Sequence, residues 1–190
     1  FVLDKDGDWT VIQQGMSPKL KTARRYHWVS MRVKSFVVDP HEIIGEVRLP
    51  FVLNMASSRS VEAQRVSVDV VNEGIGRVKS DYNQVLRILR REPTIDMFIG
   101  GDKTTFMDLS PKIRGGIIPM RINWDALNMA YELQPKTYED LIAIKGIGPG
   151  TIRALALVAE IIYRAGVSWE DPLRYTFAHG GKDGVPYPCL

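Results

Sequence analysis

The segment from Lys145 to Thr151 combines the groups that bind a phosphate. It reads Lys-Gly-Ile-Gly-Pro-Gly-Thr, with three glycines at alternate positions. Glycine permits backbone conformations that other residues resist, so this spacing predicts a very tight reversal between two helices. Amide groups at the start of the second helix then point outward at the positive end of its dipole, where a phosphate oxygen binds. The predicted phosphate-binding residues are Lys145, Gly146, Gly148, Gly150, Thr151 and Arg153.

A second cluster of cations and aromatic rings lies nearer the N-terminus. Arg24 and Arg25 are followed by Tyr26, His27 and Trp28, a composition suited to stacking on unpaired bases along a positive groove. We favour the alternative of a strand whose aromatic face is core and whose arginines are solvated. Arg24, Arg25 and Trp28 are kept as candidate nucleic-acid contacts.

Four carboxylates that could serve a metal-dependent nuclease lie between residues 92 and 108. A two-metal site needs these groups to converge, and spacing along a loop does not establish that. The single cysteine and three scattered histidines leave too few ligands for a structural metal, so we expect neither a metal nor a cofactor. The absence of a Lys-Ser/Thr ending after the glycines argues against an ATPase. The candidate nuclease carboxylates are Glu92, Asp96, Asp102 and Asp108.

Composition limits the class of protein. Of 190 residues, 45% are hydrophobic and 25% charged, as in ordinary globular proteins, and no apolar stretch approaches the roughly 20 residues that span a bilayer. We expect a cytoplasmic protein without a membrane partner, and a fragment of a longer chain because it starts at Phe1. The net charge is only +3. Basic residues nevertheless cluster in segments 15–36 and 77–91, and whether these form one positive face stays open.

The elements that must position these residues form an α+β protein with a β-rich part over 1–57 and a mainly helical part over 58–190. An Asp-Gly turn predicts a hairpin of 1–3 with 9–13, followed by a strand over 23–33 and extended pieces at 36–38 and 47–53. Helices are predicted from 58 to the glycines at 74 and 76, over 81–91, and after an Asn123 cap. Thr137 and Asp140 have capping-box spacing.

The stretch 137–165 resembles the helix-hairpin-helix motif of DNA repair and recombination proteins. The similarity lies in Leu141, Ile144, Gly146-Ile147-Gly148, Thr151 and the apolar helix after them. It implies binding to DNA backbone phosphates with little dependence on sequence. The second helix is apolar nearly all round and must be buried, so a hairpin used only for packing or protein contacts is the alternative. Lyase-type glycosylases carry a nucleophilic lysine where this chain has Gly150, which argues against that chemistry.

The chain as a whole resembles a prokaryotic family known as domain of unknown function seven-six-three. The similarity lies in residues 12–16, residues 23–28 and residues 177–188. The last of these belong to the glycine/proline-rich tail at 175–190, which includes His179, Lys182 and Asp183. We expect this tail to dock as a structural element rather than form a site. The resemblance implies no activity and no catalytic residues, so catalysis stays open. The expected function is sequence-independent DNA binding in repair or processing, with a nuclease or a protein-interaction module as alternatives.

Overall fold

The computed structural model describes residues 1–17, 22–45, 47–90 and 121–175. They form two compact units, one comprising Phe1–Ser58 with the described residues from Ser168 on, and the other Arg59–Val167. The expected α+β class with a β-rich N-terminal part is confirmed. The division into 1–57 and 58–190 stays a prediction, and the return of residues after Val167 to the first unit was not indicated by the sequence pattern.

The first unit contains a five-stranded sheet in the order β1-β2-β3-β4-β5. Neighbouring strands are antiparallel from β1 to β4, whereas β5 lies parallel to β4. The strands are β1 Val2–Leu3, β2 Trp9–Ser17, β3 Thr22–Val29, β4 Glu42–Gly45 and β5 Leu173–Tyr175.

The predicted N-terminal hairpin is confirmed. Gly7 has a φ of 90°, which the Asp-Gly turn requires, and the amide of Asp4 donates to the carbonyl of Asp8 at 2.7 Å. The strand predicted over 23–33 ends earlier, because the amides of Arg32 and Val33 both turn back to the carbonyl of Val29.

The extended piece predicted at 47–53 is wrong as a strand, and β4 lies before it instead. The amide of Leu49 donates to the Asp171 carboxylate at 2.7 Å, and Pro50 has no amide hydrogen to offer a ladder. Further along, the amides of Val52 and Asn54 donate to the carbonyls of Trp169 and Ser168 at 3.0 and 2.8 Å, so the segment forms an isolated antiparallel bridge rather than a full strand.

Five helices of the second unit lie in the described residues. A 3-10 turn at Ser58–Ser60 leads into α1 Val61–Asn72, and Gly74, with a φ of 113°, separates it from α2 Ile75–Arg90. The others are α3 Trp124–Leu133, α4 Tyr138–Ala143 and α5 Pro149–Ile161. The second predicted helix thus begins at Ile75 rather than near 81.

Helix α5 supplies much of the interior of this unit. Every residue from Ala154 to Ala159 is buried, and α5 packs against both α1 and α2. The predicted burial of this apolar helix is confirmed. The buried part of α5 therefore anchors the helix in the core. The residues from Pro149 to Arg153, which precede it, are at least partly exposed to solvent, except for the buried Thr151.

Candidate nucleic-acid interface

The approach to the glycine turn is fixed by the capping box that starts α4. The Thr137 hydroxyl accepts from the amide of Asp140 at 3.1 Å, and the Asp140 carboxylate accepts from the amide of Thr137 at 3.0 Å. These hydrogen bonds from Thr137 lower the pKa of Asp140. The predicted reciprocal cap is confirmed, and it sets where the chain enters the turn.

Two of the three glycines in the turn are required by close packing against the start of α3. Gly146 has a φ of 96°, and a Cβ there would lie 2.8 Å from Nδ2 of Asn123. A Cβ on Gly150 would lie 2.2 Å from the carbonyl oxygen of Arg121. A larger residue would displace the Asn123 side chain at position 146 and the backbone of Arg121 at position 150.

Thr151 and Asn123 tie the turn to α3. The Asn123 amide donates to the Thr151 hydroxyl at 3.2 Å, and the Asn123 side chain caps α3 by accepting from the amide of Ala126 at 3.1 Å. Thr151 is 2% exposed. The structure thus places this predicted phosphate ligand in the interior, where its hydroxyl supports the turn.

Gly148 is the open glycine of the three. It is the N-cap of α5 in an extended conformation, with φ −107° and ψ −178°, and no atom lies within 4 Å of where its Cβ would stand. No side chain caps this helix, and Pro149 occupies its first turn. The amides of Gly150 and Thr151 form no hydrogen bond with the described part of the chain. The α5 N-terminus is therefore an uncapped donor site at the positive end of a helix dipole.

Three basic residues belong to the same region. Lys145 is exposed and adjoins the turn, and Arg153 lies half-buried one turn into α5. Arg121 is exposed, and its backbone contacts Gly150. None of the three side chains forms an ion pair or hydrogen bond with a described residue. Sequence reasoning missed Arg121, because only the tertiary contact with Gly150 brings it to the turn.

Arg24 is committed to a structural ion pair in the first unit. Its guanidinium donates to both carboxylate oxygens of Asp171, at 2.9 and 2.5 Å, and the Asp171 side chain is fully buried. Burial raises the pKa of Asp171, but the bonds from Arg24 and from the amides of Leu49 and Leu173 lower it more, so the net pKa lies below its ordinary value. Arg24 ties β3 to the segment before β5.

Trp28 lies in a cluster of three rings from β3 and the segment before β4. The centroid of the His41 ring lies 4.9 Å from that of Trp28 and 5.3 Å from that of Tyr26, and the Tyr26 and Trp28 centroids are 6.1 Å apart, so the three rings contact one another pairwise. All three are partly buried. Burial lowers the pKa of His41. Arg25 is exposed, and its Nε donates to Oε1 of Gln14 at 2.9 Å. These contacts favour the interpretation of the strand as a packed aromatic face.

Within the described residues, no group of three or more His, Cys, Asp or Glu side chains is placed to hold a metal ion. The candidate nuclease carboxylates lie outside the described residues, as do His179, Lys182, Asp183 and most of the predicted tail. The basic segments 15–36 and 77–91 belong to different units. Their union in one positive face stays a prediction.

Fold and site together define an α+β protein whose helical unit presents an uncapped helix N-terminus beside basic side chains. The chain belongs to the family described as Protein of unknown function (DUF763), whose model matches residues 1–189. The resemblance drawn from the sequence is thereby confirmed at the level of the family. Comparison with curated proteins and with solved structures found no match. Across the described residues, no helix is both long and apolar enough to span a membrane.

Proposed function

We propose that this chain binds DNA through contacts between backbone phosphates and the turn that precedes α5, without sequence specificity, in DNA repair or processing. The observation that carries the proposal is the uncapped N-terminus of α5. Helices α3 and α4 are both capped by a side chain, from Asn123 and Thr137, whereas α5 begins at Gly148 with no side-chain acceptor. An external anion satisfies those donors best.

The packing of the turn supports a rigid site. Gly146 and Gly150 fit closely against residues 121–126, and α5 is anchored in the core from Ala154 on. A donor group held in place before the ligand arrives loses little entropy on binding. The amides would therefore meet a phosphate without rearrangement of the turn.

The local charge supports the same proposal. Arg121, Lys145 and Arg153 are cations that none of the described residues neutralises through an ion pair. Amides and cations contact phosphate oxygens, which are the same at every base pair. This is why we propose binding that is indifferent to sequence and sensitive to salt.

The proposal is tested by fluorescence anisotropy with labelled DNA. The 190-residue chain is titrated against duplexes of two unrelated sequences and a single strand, each at two salt concentrations. We expect similar affinity for the two duplexes and a fall in affinity as salt rises. No binding to any of them at low salt would contradict the proposal and favour a hairpin used only for packing or protein contacts.

A further inference from the structure

The exposed side of α2 carries positive charge. The buried residues of this helix lie on its other side and are Val78, Asp81, Tyr82, Val85 and Leu89. Lys79, Asn83 and Arg87 are exposed, and because they are four residues apart they follow one another along the helix surface. We call these three residues the α2 stripe. The only acidic residue of α2 is the buried Asp81, so no carboxylate of this helix lies beside the stripe.

Trp124 connects the α2 stripe to the turn before α5. The Lys79 ammonium lies 5.4 Å from the centroid of the Trp124 ring, whose edge also packs against Tyr82 of α2. Trp124 is the first residue of α3 and follows Asn123, whose amide donates to the hydroxyl of Thr151. The stripe therefore lies on the side of α2 that faces the start of α3, which is the segment that holds the glycine turn.

The direction of α2 brings the stripe toward the turn along the helix. The Arg77 Nε donates to the Tyr163 hydroxyl at 3.0 Å, so α2 begins beside the residues that follow α5. Because α2 also packs against α5, the two helices run in opposite directions. Arg87, about 12 Å beyond Lys79 at a rise of 1.5 Å per residue, therefore lies toward the end of α5 that carries the turn.

The cations of α2 differ in whether the protein neutralises them. Arg77 is engaged, because its Nε lies 3.0 Å from Oδ2 of Asp81 and 3.6 Å from Oε2 of Glu73. Lys79 and Arg87 form no ion pair or hydrogen bond with a residue that the structure describes. These two side chains are therefore available to neutralise an external anion.

We propose that the DNA-binding site extends from the turn onto the α2 stripe, where Lys79 and Arg87 neutralise further phosphates of the same DNA and Asn83 donates to a phosphate oxygen. This inference rests on the proposed function. Lysine, arginine and asparagine are common partners of backbone phosphates. A polyanion with regularly spaced charges reaches both the turn and the stripe, whereas a single phosphate reaches only one of them. The ligand that fits is therefore a nucleic acid of several nucleotides rather than a mononucleotide.

The extension is tested by fluorescence anisotropy of the full chain with a labelled duplex over a series of salt concentrations. Lys79→Gln/Arg87→Gln is compared with Lys136→Gln/Arg65→Gln, which removes the same two side-chain types from exposed positions of the same unit. Each neutralised phosphate contributes about 0.9 to the slope of log affinity against log salt. We expect the first variant to flatten this slope by roughly 1.8 relative to the second and to bind at least about tenfold more weakly at low salt.

A charge-conserving variant separates loss of charge from loss of structure. Lys79→Arg/Arg87→Lys should keep the wild-type slope, and thermal unfolding followed by circular dichroism checks that every variant is folded. If the two glutamine variants have equal slopes while Gly148→Asp, which places a carboxylate at the turn, weakens binding, the extension is overturned and the proposed function stands. A flattened slope in Lys79→Arg/Arg87→Lys would overturn the extension as well. Absence of DNA binding by the wild type would overturn both proposals.

Discussion

Lys145 is the residue whose contribution to DNA binding is easiest to isolate, because it is exposed and forms no ion pair with the described residues. We expect Lys145→Ala to weaken binding to every duplex sequence by a similar factor. A lysine that neutralises one phosphate contributes about 0.9 to the slope of log affinity against log salt, so the slope should become shallower by roughly that amount. Lys5→Ala, an equal charge change in the other unit, is the control. Equal salt-dependence slopes in the two variants would show that Lys145 does not contact the DNA.

The buried carboxylate of Asp171 joins three segments of the first unit, because it accepts hydrogen bonds from Arg24, Leu49 and Leu173. Asp171→Asn leaves Arg24 without its buried partner, and we expect a loss of about 2–4 kcal/mol in the free energy of unfolding. The folded pKa of Asp171 is lowered, so its stabilisation is fully present above the unfolded value of about 4 and is lost as pH falls through the folded value. The difference between wild type and variant should shrink at acidic pH. Urea unfolding at pH 7 and pH 3 measures it, and a constant difference would contradict this account.

At the scale of elements, the turn before α5 is built by tertiary contacts as much as by glycine itself. Gly150 and Gly76 both lie in the first turn of a helix. An alanine in a helix is ordinarily about 1 kcal/mol more favourable than glycine. A Cβ meets nothing within 4 Å at Gly76 but lies 2.2 Å from a carbonyl oxygen at Gly150.

We therefore expect opposite effects of the same substitution at these two positions. Gly76→Ala should raise the free energy of unfolding by several tenths of a kcal/mol, whereas Gly150→Ala should lower it by about 1–3 kcal/mol through overpacking. Thermal unfolding followed by circular dichroism measures both. Stabilisation by Gly150→Ala would show that the contact with Arg121 does not constrain the turn.

The elements that the sequence predicted well are those specified by local chemistry. The hairpin at Gly7, the Asn123 cap and the Thr137–Asp140 capping box each depend on residues within a few positions of one another. Strands β4 and β5 were missed because each is short and is placed by partners distant in the chain, β5 by pairing with β4. Sequence periodicity carries little information about such strands.

The candidate site follows the same division between local and distant contacts. The open amides that follow Gly148, at Gly150 and Thr151, and the basic Lys145 follow from the turn, and both were predicted. The burial of Thr151 and the position of Arg121 beside Gly150 result from the packing of the start of α3 against the turn, and neither was predicted. Arg24 was kept as a candidate DNA contact because it adjoins aromatic residues, and its ion pair with Asp171 was not foreseen because Asp171 lies far away in the sequence.

At the scale of the whole molecule, a net charge of +3 provides only a weak general attraction for DNA, so the proposed binding depends on one local site. Gly148→Asp tests that dependence. The extended conformation of Gly148 suits an N-cap residue. The carboxylate of an aspartate there would accept hydrogen bonds from the free amides of Gly150 and Thr151 and stabilise α5 by about 1 kcal/mol. The same carboxylate would occupy the donors that a phosphate needs and repel the phosphate.

The decisive measurement compares Gly148→Asp with Gly166→Asp for both thermal stability and DNA affinity. Gly166 is exposed, has no atom within 4 Å of a Cβ, and undergoes the same change of charge. We predict that Gly148→Asp raises the melting temperature yet weakens DNA binding at least tenfold relative to Gly166→Asp, a difference of about 1.4 kcal/mol or more. Equal DNA affinity in the two variants, with Gly148→Asp folded, would contradict the claim that the α5 N-terminus binds the phosphate backbone.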